Sequence, residues 1–404
     1  MPKISKIMLL IASVVLVLTV FLGMNSSGVS AASGQDGAYN QINVYSEVLR
    51  HIQTDYVVEP SIPSVTNGAM RGLLESLDAD SSYLTPAEYK IYKTDKAGKA
   101  QVGINVSKRF GYATVVSVVP NSPADKAGLN DGDILEAIGD KDTRDLSLAM
   151  IRRMLEGQPG SALTVAVVRP RKNVPDKITM TRMMVSYPQV AETMYENSSI
   201  LYLKPDVLDH EHVQALEQKL KGMQKAGNKK ILLDLRDVSA GDMPDAVRLA
   251  NFLLPSGTIA MLEGQKVGKQ TYTADPSKTI NGTAPTIVLV NRGTAGPAEL
   301  VAAALQDNKR AELVGERTFG EGAQQKTFEL PDGAAVILTV AKYESPSGKK
   351  LQDDAVTPSV LVASNIPDED LEPADVEAAQ KKAGGVAVDE QLTKALDLLK
   401  NKPA

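Results

Sequence analysis

Apolar positions along the chain change their period three times, and each change marks a segment. Lys3 and Lys6 precede an apolar run from Ile7 to Met24 that contains Ser13 and Thr19, and small residues at Val29-Ser30-Ala31 follow it. Residues 39–56 then take helical spacing, with Ile42, Tyr45, Val48, Leu49 and Ile52 on one face. A second helix is expected from near Ser64, with Met70, Leu73, Leu74 and Leu77 aligned until the polar cluster 78–82 ends it. Both read as a helical lead-in packed on something larger. From Gln101 to about Arg182 the period shortens to two, predicting strands over 102–106, 113–119, 134–138 and 163–169. One helix interrupts them: it starts at Asp145 or Ser147 as N-cap, buries Leu148, Ile151 and Leu155, and stops at Gly157 in a left-handed C′ position. Between Val185 and about Val362, strands expected at 200–203, 231–236 and 286–290 alternate with helices at 210–226, 243–254 and 297–307. That alternation predicts a parallel sheet with helices packed on it.

Composition narrows what this architecture does. The chain has 404 residues and 43% hydrophobic content, enough for two or three globular units. With 44 basic against 49 acidic residues the net charge is −5, and no basic stretch is interleaved with aromatics, so nucleic acid is not an expected partner. There is no Cys, which excludes disulfides, thiolate nucleophiles and thiolate metal sites. His210 and His212 flank Glu211, but residues i and i+2 of a helix do not face each other; a solvated helix start is expected, and no metal or cofactor. The glycines from Gly315 to Gly322 lack the Lys-Ser/Thr of a phosphate loop. Tyr56, Tyr83 and Tyr89 read as interfacial packing, and the acidic stretch Asp368 to Glu372 as a solvated linker. The first 31 residues read as a cleaved signal peptide, which implies export to the periplasm or cell envelope of a bacterium. An uncleaved Ile7 to Met24 would instead anchor the chain in the membrane.

In the β-rich stretch, Ser122 is placed to cap a short helix with Pro123 at its first position and Gly128 just past its end, and Asp131-Gly132-Asp133 then turns into a strand. This segment resembles a PDZ domain of the bacterial protease type. The resemblance implies that the loop and strand Val102-Gly103-Ile104-Asn105-Val106 hold a peptide carboxylate by backbone N–H groups while the peptide adds as a strand, with Ile151 on the facing helix. The simpler alternative is a PDZ-shaped spacer whose groove is filled by its neighbours.

Further motifs extend the likeness from about Tyr39 to the end of the chain. They are the segment 72–78, Leu233-Asp234-Leu235-Arg236, the segment 303–311, Thr318-Phe319-Gly320, the segment 338–343 and Ser345-Pro346-Ser347-Gly348. In this order and spacing they resemble the C-terminal processing (tail-specific) serine peptidases, peptidase family S41. The resemblance implies an α/β fold: a crotonase/ClpP-like peptidase core with an inserted β-rich PDZ domain and helical N- and C-terminal segments. The divisions expected are residues 1–31, 39–96, 97–183 (PDZ), 184–364 (core) and 365–404.

The same alignment exposes departures. Active relatives carry their nucleophilic serine where this chain has Gly296, within Thr294-Ala295-Gly296-Pro297-Ala298-Glu299. Their general base is a lysine in Phe-Gly-Lys-Gly, and here the stretch is Phe319-Gly320-Glu321-Gly322. The family's glutamine is retained as Gln325, whereas the Asn-Pro-Gly-Gly turn that helps to aim oxyanion donors is Val238-Ser239-Ala240-Gly241. Thr294 is expected to cap a turn rather than to attack a carbonyl. These substitutions imply a pseudopeptidase that binds polypeptides or their C-terminal tails without cutting them. An active endopeptidase, and a scaffold or regulator of an active paralogue, are the alternatives. The segment 389–399 looks like the C-terminal helix through which relatives dimerise, so a homodimer or a heterodimer with an active paralogue is implied.

Overall fold

The computed structural model describes residues 33–94, 100–109, 111–169, 174–223, 225–363 and 389–403. The expected signal peptide with its Ile7 to Met24 run, and the acidic linker, lie outside the described residues. The chain divides into two compact units, Met1–Met70 and Arg71–Ala404.

In the first unit the helix Ser33–Asp55 forms as its spacing predicts, but Tyr39, Ile42 and Val48 are more than half exposed, so the stripe is not packed away. Tyr56, expected in an interface, is also exposed. The next helix, Ile62–Glu75, crosses the division, and the face read from Met70 to Leu77 splits: Leu74 is buried while Leu73 and Leu77 are exposed. Tyr83 and Tyr89 are buried, and the Tyr89 hydroxyl donates to Glu329 at 2.7 Å.

The β-rich module is a sheet in the order Ile104–Arg109, Tyr112–Val118, Ile134–Ile138, Ala162–Val168, Asp176–Thr181. The last strand escaped the sequence because its composition is polar and only Met180 is buried. Ser122 caps the short helix Pro123–Lys126 by accepting from the Asp125 amide, and Gly128 follows in left-handed backbone. The longer helix, Leu148–Leu155, is capped by Ser147. Its expected glycine stop is corrected. Gly157 does not take positive φ; its amide donates to Ala100 O, and a Cβ there would meet the Arg182 side chain at 2.8 Å. Glycine is kept at this place for close approach rather than for a left-handed cap.

The larger core is a six-stranded sheet in the order Val360–Leu361, Glu312–Gly315, Thr286–Val290, Lys230–Asp234, Ile200–Lys204, Ala191–Tyr195. All neighbours are parallel except the last pair, a hairpin at the edge. The helices His210–Gly222, Met243–Leu253 and Pro297–Asp307 bury Leu216, Leu249 and Val301 against one face. A second, antiparallel sheet, not foreseen, pairs Ser82–Leu84 and Thr258–Glu263 with the long strand Ala335–Glu344. His212 also departs from expectation: it is buried, with Nδ1 2.7 Å from Asp209 Oδ1 and Nε2 3.0 Å from Pro188 O, while His210 is exposed. Among the described residues no group of three His, Cys, Asp or Glu side chains could hold a metal.

The helix Glu390–Asn401 covers the other face of the parallel sheet, packing Ala395 and Leu399 on Leu232 and Leu289. Its last turn is closed by Lys230, whose buried ammonium donates to Leu399 O at 2.7 Å and Lys400 O at 3.1 Å. A cation there satisfies orphan carbonyls and opposes the negative end of the helix dipole. Lys230→Met should therefore cost about 1–3 kcal/mol in chemical denaturation. Amide exchange should show residues 390–401 opening first; uniform loss of protection across the core would contradict this role.

Candidate functional site

The site is built where the buried strand Thr286–Val290 runs into the helix Pro297–Asp307. The connecting turn is stitched to the neighbouring strand end. Asn291 Oδ1 accepts from the Asp237 amide at 3.0 Å, Thr294 Oγ1 donates to Leu235 O at 2.8 Å, and the Ala295 amide donates to Val238 O at 2.9 Å. Thr294 is fully buried and its hydroxyl is committed to this turn. Gly296 follows at the helix N-cap with φ +55° and ψ −114°, a strained backbone akin to the sharp turns on which hydrolases present a nucleophile. A Cβ built there meets nothing within 4 Å, so the space a side chain would fill is open.

Beneath Gly296 lies Glu299, completely buried in the first turn of the helix. Its carboxylate accepts four hydrogen bonds: Oε2 from the amides of Gly296 (2.9 Å) and Glu321 (2.7 Å), and Oε1 from the Gly320 amide (2.8 Å) and the Thr318 hydroxyl. One side chain thus ties the nucleophile's position to the loop of the base's position. Burial pushes its pKa up to about 7, and the four donors act against that rise.

The Glu321 carboxylate stands 3.0 Å from the Arg152 guanidinium, which comes from the helix of the β-module. Arg152 also donates to Val106 O at 3.1 Å and lies 3.8 Å from Asp80. Burial, with Glu321 nearby, raises the pKa of Asp80 to about 6, while Arg152 pulls it down. Gln325 does not bond Glu321; its amide donates to Asp80 O at 2.5 Å.

The other expected residues fall close by. Within the turn 238–241, Val238 is buried, Ser239 Oγ lies 2.5 Å from Ser117 Oγ of the module, and Ala240 O accepts from the Leu208 amide. Only Gly241 of the four takes positive φ, and a Cβ there would sit 2.4 Å from Leu208 O. In the groove segment Val102, Ile104, Val106 and Ile151 are packed into the module's own core, Gly103 takes φ +87° against Ser122, and Asn105 Nδ2 donates to Ser117 Oγ. Between module and core runs a cleft of about 550 Å³, lined among others by Arg109, Arg317, Phe319 and Glu321.

The profile of peptidase family S41 matches residues 199–362, and a PDZ-domain profile matches residues 114–169. The carboxyl-terminal-processing protease of Synechocystis is 30% identical, over 80% of this chain and 78% of its own length. The chain belongs to the carboxyl-terminal-processing peptidases of family S41. The chloroplastic carboxyl-terminal-processing peptidase 2 of Arabidopsis thaliana is 31% identical over 74% of this chain, which spans 61% of that relative's length. The solved photosystem II D1 C-terminal processing protease superposes with a TM-score of 0.66 at 25% identity, over 79% of this chain and 92% of its own. The mixed α/β fold with an inserted PDZ domain is therefore that of the family, and a PDZ domain points to peptide or C-terminal-tail ligands.

Sequence reasoning missed Glu299, Asp80 and Arg152. Glu299 carried a signal, an acid three residues after the N-cap, where its carboxylate reaches back to the cap amide. Asp80 was absorbed into a helix-stopping cluster, and Arg152 is one of two adjacent arginines on a helix face. Because the carboxyl of Glu299 holds its proton more tightly folded than at its ordinary value of 4.5, the stability it adds is full below about 4.5 and is lost as pH rises through about 7. Glu299→Gln should remove that slope from a pH series of unfolding free energies. It should also cost about 1–3 kcal/mol, since its amide nitrogen must face amide donors. An unchanged pH slope in the variant would contradict the assignment.

Proposed function

We propose that this member of the S41 family is a pseudopeptidase that binds unstructured polypeptide, or its C-terminal tails, outside the cytoplasm without hydrolysing it. The observation that carries the reading is the pairing of Gly296 with Glu321. The chain keeps the strained turn, the open space above it and the loop held to it by Glu299, yet it has neither an oxygen to attack a carbonyl nor an amine to take its proton. A carboxylate is a weak base for a serine hydroxyl because its intrinsic basicity is low, and that of Glu321 is engaged by Arg152 at 3.0 Å.

Thr294 does not serve the alternative of an active endopeptidase as a displaced nucleophile: it is buried and donates to Leu235 O. Export rests on the Lys-flanked apolar run of residues 7–24. Pairing with a second copy or an active paralogue is supported by the exposed apolar face of Ser33–Asp55.

The test is to incubate the purified chain with an unstructured polypeptide ending in apolar residues, following binding by fluorescence anisotropy and integrity by mass spectrometry. Saturable binding with the polypeptide recovered intact is expected. Gly296→Ser alone should fold, at a cost of about 1–3 kcal/mol for a side chain in that backbone, and remain inert. Gly296→Ser with Glu321→Lys should give weak cleavage. Cleavage by the unmodified chain that survives rigorous purification would overturn the reading.

A further inference from the structure

The cleft between the PDZ domain and the core is lined by four cations, and they are not equivalent. Lys108 is 2.7 Å from Glu75 and Arg292 is 3.0 Å from Glu316, so both have their counter-ions. Arg109 and Arg317 hold only backbone carbonyls: Arg109 donates to Phe319 O at 2.7 Å, and Arg317 donates to Asp354 O at 3.0 Å. Among the described residues neither has a carboxylate within ion-pair distance. Arg109 is also stacked on the Phe319 ring, 4.1 Å from its centroid. Both guanidiniums are thus held in place with donors to spare, in the cleft that Glu321 also lines. Partial burial and then repulsion by Arg317 lower the pKa of Arg109, against the opposing pull of the Glu299 carboxylate.

The acids lining the same cleft are directed to other partners. Asp80 and Glu321 share Arg152, Asp78 accepts from the Asp80 and Ser81 amides, and Asp131 feels the charge of Arg292. In the PDZ groove itself, the apolar side chains expected to face a tail are packed together, and Arg152 occupies Val106 O on the strand edge.

Resting on the polypeptide-binding reading, we propose that Arg109 and Arg317 form the site for the terminal carboxylate of the bound chain, in the cleft rather than at the Val102–Val106 loop. A carboxylate offers two oxygens to the two forks, and Phe319 and the exposed Leu77 supply apolar surface for the last side chain.

The experiment compares a fluorescein-labelled unstructured peptide ending in Leu-Ala as free acid and as C-terminal amide, titrated with the full chain, with Arg109→Gln and with Arg317→Gln. The free acid should bind the unmodified chain about 10- to 100-fold more tightly, the range that a charge-assisted pair supplies. Each substitution should abolish that preference while leaving amide binding in place, and raising the salt should shrink it. Thermal unfolding verifies that the variants are folded; Arg317→Gln, which leaves the Arg109–Phe319 stack in place, carries the test if Arg109→Gln is not. An acid preference that survives in both variants, or equal binding of acid and amide, would overturn the carboxylate site and leave polypeptide binding standing. Failure of the unmodified chain to bind either peptide would overturn both.

Discussion

The buried carboxylate of Glu299 is the constraint on which the rest of the site depends. Three backbone amides and one hydroxyl converge on it from two segments, the N-cap of the helix Pro297–Asp307 and the loop 318–321, which the Phe319 amide also joins by donating to Thr294 O at 2.9 Å. A charge removed from water is costly unless its lone pairs are taken up, and here four donors take them up. These four hydrogen bonds hold the spacing between positions 296 and 321, where the chain carries glycine and glutamate. The outline of the site is thus set by Glu299 and not by the side chains at positions 296 and 321.

The replacement of the base also changes what the site is joined to. An amine at position 321 would repel Arg152, whereas the carboxylate of Glu321 draws it in, and Arg152 in turn reaches Val106 on the strand edge of the PDZ domain. The pair is partly exposed, with side-chain accessibilities of 41% and 26%, so it stabilises by about 0–1 kcal/mol at most. Its effect is positional. Together with Ser117 against Ser239 and Arg109 against Phe319, it seats the PDZ domain on the core beside Gly296 and Glu321, with the cleft between them.

Much of this was legible in the sequence. The strand Thr286–Val290 and the helix Pro297–Asp307 fall where their apolar period puts them, and Gly296 and Glu321 could be set against the family's motifs because both lie at element ends. Short-range signals failed where tertiary contact decides. Gly157 serves Arg182 and not its own helix, His212 is buried by Asp209 and Pro188, and the strand Asp176–Thr181 is too polar for its period to show. Arg152 left no trace, since its partners lie 46 and 169 residues away. Of the groove residues, Ile104, Asn105 and Val106 lie on the module's first strand and Ile151 on its helix, whereas Val102 and Gly103 precede the strand; that the apolar ones pack on each other is a property of the closed core and not of their order.

The central claim is that the retained geometry lacks a competent nucleophile. It is tested most directly by exposing the native chain to a serine-directed acylating or phosphonylating reagent and measuring its intact mass. The account predicts no adduct on the unmodified chain and a single adduct, mapped to position 296, on the Gly296→Ser/Glu321→Lys variant. A stoichiometric adduct on the unmodified chain that is lost on prior unfolding would show an activated hydroxyl in the native site and contradict the claim.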